Sequence, residues 1–317
     1  MATLSDLIPF SVFEISIILI PAGTVIFTFF AVRKFKSGEG VGRFAVDLLS
    51  FVLVLYSLRV FAVGIAYNAT PLSDRINLAK IEITDESLAS TLIRLRNDAN
   101  ELSYGLQKNS DLTVNGELGL EELGKLISES YSALSSEYRL PKGFYSKVKG
   151  VHFSDVMSRL SLSGIYSPLT GEVNVNTAYP DFDVAFSAAH EMCHQRGILR
   201  EDDANLGAYI VLSHSENEFL KYSAALSMYG YVGAALYKTD PKRYFEIADV
   251  LSPSAKADLS ASNSITVKNK NTALSDLANT VNDISLKTQG TSGRVSYSGV
   301  TRLIVSYLAV TNFHNPE

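Results

Sequence analysis

His190-Glu191-Met192-Cys193-His194 is the stretch of this chain whose residue types make the most specific chemical proposal. In an α-helix, positions i and i+4 lie one above the other, so the two imidazoles can face one ion. Glu191 stands beside them, where a carboxylate can take a proton from an attacking water. A catalytic zinc takes three protein ligands and leaves one position open. The third donor is expected just past Gly197, in Glu201-Asp202-Asp203-Ala204-Asn205. In a helix starting near Glu201, Glu201 and Asn205 share a face, and small Ala204 lets that face approach closely. The reading is Zn²⁺ held by His190, His194 and Glu201, with Glu191 as the catalytic base. Asp202, Asp203, Glu216 and Glu218 are the other candidates for third ligand. A cluster of acids favoured by a helix dipole is the plainer reading of Glu201 to Asp203.

The remaining polar residues around the motif say less. Asn205 is a candidate to orient a metal-bound imidazole, or a solvated helix residue. Cys193, the single cysteine, reads as a packed thiol. Arg196 and Arg200 read as surface residues that can pair with the acidic cluster. His152, His214 and His314 lack ligand spacing. Tyr166, Tyr179 and Tyr209 are candidates to stabilise an oxyanion, and nothing in the sequence chooses among them.

The motif needs a scaffold. Phe182 to Arg196 reads as a helix that Gly197 ends, and Glu201 to Ser213 as the next. Glu172 to Asn176 alternates polar and apolar, as a half-exposed strand does. Its place just upstream of the motif helix suggests pairing with an extended peptide substrate. Val148 to Ser154 can form another strand, and Ser163 to Gly171 is rich in turn residues. Thr84 to Gln107 and Leu120 to Tyr138 have helical apolar spacing. Asn217 to Tyr237 is an apolar helix too interrupted to read as a further span. Thr239 to Ser252 reads as a short helix, and Ala255 to Lys270 as polar and weakly patterned. Ala273 to Leu286 and Ser298 to Val310 read as helices, separated by the Gly-rich 289–293.

Two apolar stretches precede all this. Ile15 to Val32 carries no charge and, with its flanks, reaches the ~20 residues that a bilayer core demands; a cleaved signal peptide is the plainer alternative, against which stand the lack of a positive segment before it and of a small-residue cleavage site. Phe44 to Ala66 is the second, interrupted by Asp47 and Arg59. Arg33, Lys34, Lys36 and Arg43 lie between them, which places that loop in the cytoplasm and the rest of the chain outside. Glu14 and Arg59 then fall in the outer half of the bilayer, where they can pair. The formal net charge is −5 and no basic stripe is present, so nucleic acid is not an expected partner.

The order of these pieces resembles a known family. It runs Ile8-Pro9-Phe10-Ser11, Gly164-Ile165-Tyr166-Ser167-Pro168, Gly171-Glu172-Val173-Asn174-Val175-Asn176, His190 to Gly197, Arg200 to Asn205 and Val295-Ser296-Tyr297. It is similar to an uncharacterised bacterial domain-of-unknown-function family of two-span membrane proteins with a zincin-like metallopeptidase domain. The resemblance implies a zincin fold with Glu191 as base and His190, His194 and Glu201 as ligands. Glu201-x-x-Ala204-Asn205 also resembles a gluzincin motif, although gluzincins place that Glu further downstream. The expected fold is α+β and mostly helical. Residues 1–67 would form a transmembrane hairpin with spans at about 11–32 and 44–66, residues 68–140 a linker with amphipathic helices, and 141–317 the catalytic domain with a small sheet. The expected function is a membrane-anchored zinc metallopeptidase, acting on a peptide or protein outside the cytoplasm, with the lipid bilayer as its other partner. A catalytically silent sensor or scaffold that binds peptides is the competing reading.

Overall fold

The computed structural model describes residues 2–36, 41–59, 68–141, 147–269 and 297–314. The fold is mostly helical with one small mixed sheet. A short helix, α1 (Ala2–Ser5), precedes the long α2 (Val12–Lys36) and α3 (Val41–Arg59). Ser11 caps α2: its Oγ accepts the Glu14 amide at 3.1 Å, which satisfies one of the amides a helix start leaves without an intrahelical partner. Within α2, Val12–Phe30 has a mean hydropathy of 2.1 and none of it is buried. Among the described residues it is the one helix segment long and apolar enough to cross a bilayer. Phe44–Val54 in α3 is a shorter apolar stretch, and residues 60–66 of the expected second span lie outside the described residues. The rings of Phe27 and Phe51 stack with centroids 6.1 Å apart. The side chain of Arg59 also lies outside the described residues. The Glu14 carboxylate accepts the amides of His152 and Phe153 at 2.9 and 2.8 Å.

After α4 (Leu72–Arg75) come α5 (Asp85–Gly105) and α6 (Leu120–Leu134). A reciprocal Thr84–Ser87 capping box starts α5, and its buried Leu88, Leu92, Leu95 and Ala99 recur at helical spacing along one face. That face packs on α10 (Glu218–Thr239), the central helix of the core. α10 buries Tyr222, Leu226, Tyr229 and Val232. Its apolar run therefore reflects the interior of a globular unit. α11 (Pro241–Asp249) and α12 (Pro253–Asn269) follow, and α13 (Tyr297–His314) packs on α9 (Glu201–Ser213) and α10. The weakly patterned 255–270 is thus largely helical. It lacks an apolar stripe because a polar group anchors it: buried Asp258 accepts the Tyr222 hydroxyl at 2.6 Å and the Val114 amide at 3.2 Å. The helix expected at 273–286 and the Gly-rich 289–293 lie outside the described residues.

The sheet has the order β1-β3-β2. β1 (Val148–Gly150) runs parallel to β3 (Glu172–Val175), and β2 (Gly164–Ser167) runs antiparallel to it. Ser163 to Gly171, read as turn, thus supplies a strand as well. Gly171, at φ 75°, makes the return, a backbone shape that suits glycine. The Gly171 amide donates to the Ser167 carbonyl at 2.7 Å. A helix, α7 (Ser154–Arg159), fills the connection between β1 and β2.

β3 departs from its expected role. All four of its residues are buried and both of its edges are paired. It can therefore neither be half-exposed nor take a peptide along its backbone. Its alternation separates two interiors instead. Val173 and Val175 join the hydrophobic core. Glu172 and Asn174 turn to the N-terminal segment, where Asn174 Oδ1 accepts the Ser11 hydroxyl at 2.7 Å. The Glu172 carboxylate accepts the amides of Val12 and Phe13 at 3.1 and 2.8 Å, a negative charge at a helix N-terminus. Lys149 Nζ balances it at 2.5 Å and donates to the carbonyls of Ser5 and Phe10.

Candidate metal centre

The motif helix, α8, runs Asp181–Gln195. Asp181 and Asp183 in its first turn suit the helix dipole. Its inner face of Ala185, Ala188, Ala189 and Met192 is fully buried, which leaves His190 and His194 on the margin of the core, 14 % and 12 % exposed at the side chain. The helix closes in a Schellman turn. Gly197 takes φ 83°, the Ile198 amide donates to the Cys193 carbonyl at 2.9 Å, and the Gly197 amide donates to the His194 carbonyl at 3.0 Å. This turn carries the Ile198 carbonyl back to His194 Nδ1, at 2.9 Å. A carbonyl only accepts, so Nδ1 holds the proton and Nε2 keeps a free lone pair.

The same turn launches α9 toward the imidazoles. Glu201, its first residue, places Oε2 3.2 Å from His190 Nε2 and Oε1 3.7 Å from His194 Nε2. Two ligands held about 2.0–2.1 Å from a tetrahedral zinc stand about 3.4 Å apart. One donor atom from each of His190, His194 and Glu201 lies within 4.8 Å of the others, so the set has the chemistry and the size for that ion. Burial acts to raise the Glu201 carboxyl, but the positive charge that His194 and His190 carry when protonated, with the His190 hydrogen bond, outweighs it and lowers the group to about 2. The close approach of α9 to α8 depends on Gly207, where a Cβ would stand 2.8 Å from Cys193 Sγ.

Glu191 leans the other way, toward β2. Burial pushes its carboxyl up to about 7; His194 opposes the rise, the charge of Glu201 adds to it, and the Tyr166 amide opposes it by hydrogen bonding. Gly164 makes the room, since a Cβ there would lie 2.8 Å from Glu191 Cγ. Gln195 ties the β2–β3 turn to the same helix, donating to the Gly171 carbonyl at 2.6 Å. Four elements thus meet at one place: α8, its closing turn, the start of α9, and the edge strand β2.

The structure places the other sequence candidates as follows. Asp203 is buried and accepts the Ser73 amide at 3.0 Å, while Asp202 and Asp203 each lie 3.9 Å from Arg200 Nε. Asn205 donates to the Glu201 carbonyl one turn back at 2.7 Å and so holds the helix that carries Glu201. Cys193 is a packed thiol hydrogen-bonded with the Tyr131 hydroxyl. Arg196 is corrected from a surface residue to a buried one, 6 % exposed, with its guanidinium 4.4 Å from the Tyr131 ring centre. His214 lies at the end of α9 and bonds Tyr138, at 3.1 Å. His152 is exposed, and the side chain of His314 lies outside the described residues. Of the three tyrosines, Tyr166 reaches Glu191 through its backbone amide, whereas Tyr209 packs on Tyr307. Tyr179 interacts with Thr266 and Asp183. The sequence reading missed Gly164, Gly207, Gln195 and the Ile198 carbonyl. A glycine inside a strand is a signal of close backbone approach, but Gly164 falls in a stretch that reads as turn.

Fold and site together define a mostly helical protein with a small mixed sheet and a His–His–Glu donor cluster beside a buried glutamate. Over residues 1–305 the chain matches the model of a family described as a protein of unknown function, DUF3810, and it belongs to that family. No curated protein and no solved structure matches the chain.

Proposed function

We propose that this protein is a membrane-anchored, zinc-dependent metallopeptidase of zincin-like design that hydrolyses peptide bonds outside the cytoplasm. The observation that carries the reading is the convergence of His190, His194 and Glu201 with Glu191 beside the edge strand β2. Zinc bound there would supply Lewis-acid activation of water and of the scissile carbonyl. The chain's own residues do the rest. His190, His194 and Glu201 hold the ion, with His194 fixed in one tautomer by the Ile198 carbonyl. Glu191, whose carboxyl burial pushes up to about 7, accepts the proton of the attacking water and hands it to the leaving amine. In this reading β2, an edge strand of the sheet, offers an extended peptide the backbone groups other than the Tyr166 amide that Glu191 holds, the role that β3 cannot fill.

Anchoring rests on α2, and the basic residues Arg33, Lys34 and Lys36 at its end and Arg43 at the start of α3 support a cytoplasmic turn with the domain outside. A second span through α3 completes the hairpin in this reading.

Elemental mass spectrometry on the purified full chain tests the site, beside its His194→Ala and Glu201→Ala versions. Near-stoichiometric zinc in the parent, lost in both variants, is the expected result. Glu191→Gln should keep the zinc and lose cleavage of a peptide library. A zinc-loaded Glu191→Gln protein that cleaves at the parent's rate would sink the mechanism.

A further inference from the structure

The first turn of α2 is surrounded by large apolar side chains that face outward. Leu7 and Phe10 precede it, 80 % and 56 % exposed. Phe153, whose amide bonds Glu14 in that turn, and Val156, three residues on, are 50 % and 46 % exposed. Phe153, Val156 and the half-buried Leu160 follow helical spacing onto one side of α7.

Hydrogen bonds fix these residues to α2. Glu14, the third residue of α2, accepts the amides of both His152 and Phe153. Lys149 holds the carbonyls of Ser5 and Phe10 at 2.7 and 3.1 Å. Asp6 accepts the Lys147 amide at 3.3 Å. The segment before α2 and the turn after β1 therefore share one level, that of the first helical turn.

Helix length sets where that level falls. The apolar stretch Val12–Phe30 has 19 residues. At 1.5 Å per residue this is about 28 Å, against about 30 Å of hydrocarbon. Little slack remains, so a crossing α2 puts its first turn at the boundary of the bilayer. Leu7, Phe10, Phe153 and Val156 then lie where headgroups meet acyl chains. Apolar and aromatic side chains gain there, and in water they cost.

We infer that Leu7, Phe10, Phe153 and Val156 form a membrane-seated face, so that the soluble part of the chain lies on the bilayer that α2 crosses rather than hanging from it. The occupant of the face is lipid. The inference rests on α2 as a span and is independent of zinc and of catalysis. A domain bolted to its span cannot swing away, and the donor cluster then stays at one fixed height above the lipid.

The chain contains no tryptophan, so a single introduced Trp reports on one place. Phe153→Trp and, separately, Phe10→Trp are made in the full chain and reconstituted into phosphatidylcholine vesicles, with or without lipids brominated near the headgroup end of the acyl chain. Leu19→Trp, in the middle of α2, is the reference for the span, and Tyr104→Trp, at a side chain 91 % exposed, the reference for water. The expected result is loss of emission to brominated lipid at Phe153→Trp, Phe10→Trp and Leu19→Trp, with Tyr104→Trp quenched by aqueous iodide instead. Quenching at Leu19→Trp but iodide access at both Phe153→Trp and Phe10→Trp would overturn the face and leave the span standing. Shielding of those two positions from lipid and iodide alike would overturn it too, and would point to a protein cover such as a second copy. Absence of lipid quenching at Leu19→Trp would remove the span and the face together.

Discussion

Gly207→Ala tests whether the spacing of two helices builds the donor cluster. Glu201 reaches the imidazoles because α9 lies close against α8, and Gly207 opposite Cys193 permits it. A Cβ at Gly207 would stand 2.8 Å from Cys193 Sγ and 3.3 Å from Leu72 Cδ2. Ordinary non-bonded contacts begin at about 3.5 Å, so the helices must part by about 0.7 Å. The thiol cannot easily swing aside, since it is fully buried and hydrogen-bonded with Tyr131. Metal ligands tolerate errors of only about 0.2 Å. The expected loss of zinc affinity is about 10- to 100-fold, the range seen when the support of a ligand is disturbed. Overpacking should also cost about 1–3 kcal/mol of stability. Both quantities are measurable on the full chain, by competition for zinc against a graded chelator and by the midpoint of thermal unfolding. Cys193→Ala removes the atom that the new Cβ meets. The double variant should therefore recover much of the affinity, with a coupling of about 0.5–3 kcal/mol. Parent-like zinc affinity in Gly207→Ala, or strictly additive effects in the double variant, would refute the spacing argument.

Gly164→Ala should act on the base and leave the ligands alone. Its Cβ would meet Glu191 Cγ at 2.8 Å and Oε1 at 3.0 Å, and a displacement approaching 1 Å costs about 10²-fold in rate; unchanged peptide hydrolysis would contradict the assignment of Glu191, while zinc content should stay at the parent level. Lys149→Ala leaves the buried Glu172 carboxylate without its ion partner, and an expected destabilisation of about 3–5 kcal/mol is read from the unfolding midpoint. Stability should also depend on pH through Asp258, whose carboxyl burial pushes up to about 7 against an ordinary 3.8. The native state then keeps a proton that the unfolded state has lost, so stability falls as pH rises through that window and levels off above about 7. Asp183, raised to about 6 by burial, adds a slope of the same sign. Melting at pH 5 and pH 8 should show a smaller drop in Asp258→Asn than in the parent, and an equal drop in both would remove Asp258 as a source of the slope.

The two helices that carry the donor cluster were legible because their signals are local. Helical spacing of His190 and His194, the stop at Gly197 and the acidic restart at Glu201 all lie within a few residues. The supports of the site were not legible, because they are backbone groups or absences of side chains. No side-chain pattern announces the Ile198 carbonyl or the Tyr166 amide. Gly164 and Gly207 act through the Cβ that each lacks. β2 read as turn because Gly164, Ser167 and Pro168 dilute its two strand formers, Ile165 and Tyr166. Arg196 read as exposed because its ring partner, Tyr131, belongs to a helix far upstream. Ser11-Val12-Phe13-Glu14 has the pattern of a capping box, which marks where α2 starts. It gives no hint that Asn174 and Glu172 complete that start from 163 and 160 residues away.

That distance along the chain bears on how the protein is assembled. During synthesis α2 leaves the ribosome well before β1 and β3 exist. The polar groups that finish its first turn arrive only when the sheet has formed. Pairings between such distant segments are slow, because loop closure must precede any reward. A shortened chain beginning after α3 would keep the Lys149–Glu172 pair but lose the carbonyls of Ser5 and Phe10, the amides of Val12 and Phe13 and the Ser11 hydroxyl that complete the bonding of Lys149, Glu172 and Asn174. The first turn of α2 therefore belongs to the polar network of a sheet that is translated about 160 residues later.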